Sequence, residues 1–188
     1  IREITHKRLL KKSSDGAKAL KQHFSEKLVH LTQLEDYRTE RALDAGSLVE
    51  FYPLLPQQFD VLIDAIRSLA RLQGGIGLRS AIRCVQDILI GANPGEPAIV
   101  DRAVPALVTV ADLYEVLQPD IAPISKDSVL AVDRIAQSYG VDSWEHRIAK
   151  AIALLQQIDG FPITRHNLAA LLYPEVGADA IADDVEAA

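Results

Sequence analysis

A chain of 188 residues, 48% hydrophobic and 24% charged, has room for one domain or two small ones with a real core. The single cysteine, Cys84, excludes an internal disulfide and is consistent with a reducing cytoplasm; no signal peptide or membrane-length apolar run is present. Aromatics at 5% argue against base stacking, and a net charge of -6 argues against a general DNA binder.

The charge is unevenly spread. Arg2, Lys7, Arg8, Lys11, Lys12, Lys18, Lys21 and Lys27 crowd the first thirty residues, whereas Glu175, Asp179, Asp183, Asp184 and Glu186 close the chain without a base. The simple reading is a solvated basic helix and an acidic surface helix. The sharper one has the basic end facing a polyanion or a nucleotide-bearing core. Ile1 opens directly into REITHKRLLKK, and a helical pattern is still running at the last residue, which leads us to expect a segment of a longer protein.

In chain order, residues 17–32 place Leu20, Phe24, Leu28 and Leu31 on one helical face. Pro56 suits a first helical turn, after which Phe59, Leu62, Ile63, Ile66 and Leu69 recur at three and four. Gly74 and Gly75 end that helix. The next, with Leu78, Ala81, Ile82, Val85, Ile88 and Leu89 inward, stops at Gly91. GANPGEP, from Gly91 to Pro97, reads as a linker and sets a domain boundary.

Beyond it, Val104 to Val110 reads as extended and Ala111 to Leu117 as helical, with breaks expected at Pro119 and Pro123. Ser128 to Tyr139 forms a helix closed by Gly140. Asp142 or Ser143 caps the following one, whose stripe is Ile148, Ile152, Leu155 and Ile158. Thr164 opens a short helix through Leu168, Leu171 and Leu172 that Pro174 stops. Three helices with short turns suggest a helix-turn-helix or winged-helix-like module. The predicted organisation is mainly α: a helical bundle over 1–92, a helix-turn-helix-like module over 93–172 and an acidic helical segment over 173–188.

Two clusters are candidates for chemistry. Arg79 and Arg83, four apart, share a helical face away from the apolar stripe, and Arg79 falls in the first turn, where free N–H groups favour an anion. The simpler account pairs Arg83 with Asp87 and leaves Arg79 solvated. Arg67 and Arg71 repeat the spacing on the preceding helix, where Asp60 and Asp64 suggest a ladder of ion pairs on an exposed face. The second cluster is Arg165, His166 and Asn167, at the end of a helix where recognition helices meet base edges. Neighbouring Asp159, Glu175 and Asp179 favour a packing or protein-contact role instead. The five histidines lack metal-ligand spacing, so no metal site is expected. No catalytic triad or carboxylate dyad stands out, and G-x-x-x-x-G-K-[ST] is absent.

The run from Arg2 through Leu172 resembles a region of the large AAA+ type P-loop ATPases of bacterial phage-defence systems, particularly the BREX class. REITHKRLLKK looks like the helix leaving the ATPase core, FYPLLPQQFDVL like the opening of the lid, and GGIGLRSAIRCVQDIL like the lid helix whose Gly-x-Arg contacts nucleotide phosphates. Residues 109–118 and KAIALLQQIDGFPITRHNLAALLY look like the winged-helix-like continuation. The resemblance implies Arg79 as the lid arginine, with Arg83 as second candidate. It implies ATP and Mg in a full-length parent and none bound to this segment, which lacks the P-loop and should not hydrolyse ATP alone. The implied partners are the parent's own ATPase core, other defence-system subunits, and DNA through the full-length protein. No membrane is implied. The alternative is a nucleic-acid-binding or protein-interaction module with no nucleotide role.

Overall fold

Helical periodicity in this sequence is answered by helices, with two instructive exceptions. The structure is a computed structural model that describes residues 10–24, 31–39, 42–72, 78–91, 98–141 and 143–188, with only the backbone of 78–81 and 100. Among the described residues there are nine α-helices and no strand: α1 Ser14–Phe24, α2 Ala45–Phe51, α3 Pro56–Leu72, α4 Leu78–Ile90, α5 Val110–Ile121, α6 Lys126–Tyr139, α7 Trp144–Leu155, α8 Arg165–Leu172 and α9 Ala182–Ala187. A 3-10 turn, Ile99–Asp101, lies between α4 and α5. The protein is mainly helical, as its periodicity predicts.

Local chemistry sets the boundaries. The Ser13 side chain accepts from the Gly16 amide at 3.1 Å, so α1 begins earlier than the apolar stripe suggests. Its described part reaches Phe24 and residues 25–30 lie outside the described residues, but Leu31 and Thr32 are not helical, so the helix predicted over 17–32 does not extend to its last two residues. The physical reason lies in the partners of 31–35. The Thr32 carbonyl accepts from Gln57, and the Gln33 carbonyl meets the His166 ring, so tertiary contacts replace helical ones. The short α2 escapes periodicity altogether. It is started by Asp44, which accepts from the Ser47 amide at 2.8 Å.

Pro56 occupies the first position of α3, as expected. Two residues on, Gln58 reaches back and accepts from the Leu55 amide at 2.7 Å, which is one half of a capping box. α5 carries the full box, with Thr109 and Asp112 exchanging backbone and side-chain bonds. The break expected at Pro119 does not occur: α5 continues to Ile121. Pro119 sits one turn from the helix end on an exposed side, so its missing N–H removes one hydrogen bond there. Val104 to Thr109 is non-helical and makes an isolated bridge, Ala106 to Glu175, rather than a strand. Gly140 closes α6 at φ 101, a region that disfavours side chains, and Ser143 caps α7 by accepting from the His146 amide.

The buried residues form one hydrophobic cluster from Leu10 to Val185. α5 and α6 both pack on α7, α4 leans on α5, α3 touches α5 and α7, and α9 rests on α8 and α7. This core crosses the boundary placed at residue 92, whose linker, 92–97, lies outside the described residues. Gln58 crosses it too. Its side chain, with no exposed surface, donates to the Leu171 carbonyl at 3.2 Å, which lies in the last turn of α8 and has no helical partner. After residue 98 the helices stack without a β-hairpin wing among the described residues.

Candidate functional site

Two places were marked by the sequence, and the structure treats them differently. α4 docks through one face: Cys84, Val85 and Ile88 are buried, while Arg83, next to Cys84 but on the other side of the helix, is 81% exposed in its side chain. Arg79 lies in the first turn of the same helix, on the row that Arg83 continues; its side chain falls outside the described residues. Arg83 Nε stands 3.4 Å from Asp87 Oδ2, the ion pair that the spacing allows. Such an exposed i,i+4 pair contributes about 0.3–0.5 kcal/mol, so it leaves the guanidinium readily available.

The expected ladder of ion pairs on an exposed face holds at Asp64 and Arg67 but not at buried Asp60, and Arg71 turns elsewhere. Arg67 pairs with Asp64 at 3.0 Å, and Asp64 also accepts from the Tyr37 hydroxyl at 2.6 Å. Arg71 donates to Ser68 and reaches Asp159 at 3.0 Å, tying α3 to the turn after α7. Asp60, expected on an exposed face, is buried. This correction follows from α3 itself, whose first three turns are buried on most sides.

The N-terminal end of α8 is taken up by the chain's own groups. Arg165 forms an ion pair with Glu186 of α9. His166 Nε2 lies 2.8 Å from the Gln33 carbonyl, with its other ring nitrogen 3.7 Å from the Glu35 carboxylate. Asn167 is wholly buried. Its Oδ1 accepts from the Glu35 amide at 2.8 Å, while Nδ2 donates to the Glu35 carbonyl at 3.0 Å and the Pro162 carbonyl at 2.8 Å. The Asn167 side chain thus uses both donors and one acceptor internally, as a residue placed to read a base edge would not. The predicted base-contact set of Arg165, His166 and Asn167 is therefore brought together as a packing joint between α8, α9 and residues 31–39. Thr164, whose side chain accepts from the Asn167 amide, and the acidic neighbours Asp159, Glu175 and Asp179 were the local signals for it. The partner at Glu35 is 132 residues away and carries no sequence signature.

Two groups with shifted acidities lie nearby or at the basic end. Half-buried Lys12 donates to the Glu50 carbonyl at 2.9 Å, and burial lowers its ammonium to about 8, with the Glu50 charge opposing the shift. In the described part of the basic end, Lys11, Lys18 and Lys21 are exposed. Cys84, on the inner face of α4, is pushed up to about 12, first by burial and then by the Asp120 and Asp87 charges. Its thiolate, the reactive form, is suppressed throughout the neutral range. A disulfide-exchange reagent at pH 8 is therefore expected to leave Cys84 unmodified in the folded protein and to react fully once denaturant is added. Rapid reaction without denaturant would contradict this placement of α4.

Among the described residues, no group of His, Cys, Asp and Glu is arranged to hold a metal ion, and no helix is long and apolar enough to cross a membrane. The class defined by this fold is a mainly helical protein with an arginine-bearing helix docked on its core. No known protein family, curated protein or solved structure matches the chain.

Proposed function

We propose that this chain is the lid and helical continuation of an AAA+ type P-loop ATPase of the phage-defence (BREX) kind, working in the cytoplasm as part of a longer protein. In this reading α4 presents Arg79, with Arg83 one turn on, to the phosphates of an ATP bound with Mg by the ATPase core. The helices behind α4 carry the response by rigid-body movement to other subunits of the defence system and to DNA held by the whole assembly. The observation that supports it is the asymmetry of α4. One face is anchored by Cys84, Val85 and Ile88, and Arg83, four residues after Arg79 on the same helix, is turned away from that anchor. A helix held in this way keeps an arginine in a fixed place at low entropic cost, which is what reading a phosphate requires.

The decisive variant is Arg79→Ala in the ATPase-bearing full-length protein. ATPase turnover is expected to fall by 10-fold or more with the fold intact, because a transition-state arginine is worth several kcal/mol. Unchanged turnover and nucleotide affinity would overturn the assignment.

The alternative, a helical interaction module with no nucleotide role, draws support from the α8 end. There the groups that suggested nucleic-acid contact serve packing between segments of the same chain.

A further inference from the structure

We draw no further inference here: the strongest candidate, the exposed surface around the turn from α6 to α7 where Tyr139 and Val141 are exposed and Arg147 lies 5.4 Å from the Trp144 ring centre, has an interface-like composition, but nothing in the structure shows what covers it.

Discussion

Replacing Asn167 with Ala is expected to lower stability by about 3 kcal/mol, equivalent to a fall in melting temperature of roughly 6–12 °C for a chain of this size. The reasoning follows the partners that remain. With the amide gone, the Glu35 N–H and the Glu35 carbonyl lose this partner beside a fully buried site, and the Pro162 carbonyl keeps only its bond from the Thr164 amide. Each unpaired group costs about 1–3 kcal/mol, reduced where water can enter. Asn167→Asp is a sharper variant, because it keeps the acceptor facing the Glu35 amide but places a negative charge against two carbonyls. It should therefore be no more stable than the Ala variant. Chemical denaturation measures both, and hydrogen exchange at the Glu35 amide reports the joint directly. If instead Asn167 were placed to read a base, its removal would abolish nucleic-acid binding and leave the denaturation midpoint untouched.

The second large effect concerns Phe59. Its side chain is 1% exposed, and its ring centre is 5.2 Å from that of Phe51. Phe59→Ala removes this contact and leaves a cavity between α2 and α3, at an expected cost of about 3–5 kcal/mol. The only tryptophan, Trp144, lies in α7, on the far side of the boundary placed at residue 92. Because the core runs across that boundary, the Trp144 fluorescence transition and the far-ultraviolet circular dichroism transition should move together in this variant. A Trp144 transition that stays at the wild-type midpoint while the helical signal shifts would mean that the two halves unfold independently.

How much of this was legible beforehand depends on the range of the interaction. The apolar repeats of α3 and α7, the proline at the start of α3, the glycines after α4 and α6 and the caps Ser143 and Thr164 all act within one or two turns, and all are visible in the sequence. The misreadings at Leu31 and Asp60 share another cause. Leu31 continues a helical stripe only until residues 32–35 find partners on α3 and α8, and Asp60 is buried only because α3 is enclosed. Neither fact is local. At the α8 end the sequence allowed both a recognition-helix tip and the favoured packing role for Arg165, His166 and Asn167, and the groups that meet them, Glu186, Gln33 and Glu35, lie far away in the chain. For the arginine row the sequence supplied the spacing, and the structure adds which face of α4 is anchored.

The joint between Asn167 and Glu35 also bears on the order in which the molecule assembles. It closes a loop of more than a hundred residues, whereas α5, α6 and α7 meet through turns of a few residues. Closing long loops is entropically unfavourable until other contacts reward it, so the α5–α6–α7 stack is the natural early nucleus and residues 31–39 dock late. A late contact contributes to holding the native state rather than to reaching it. Loss of Asn167 should therefore appear in kinetics as faster unfolding at a nearly unchanged folding rate, which makes this one amide a determinant of how long the folded chain lasts.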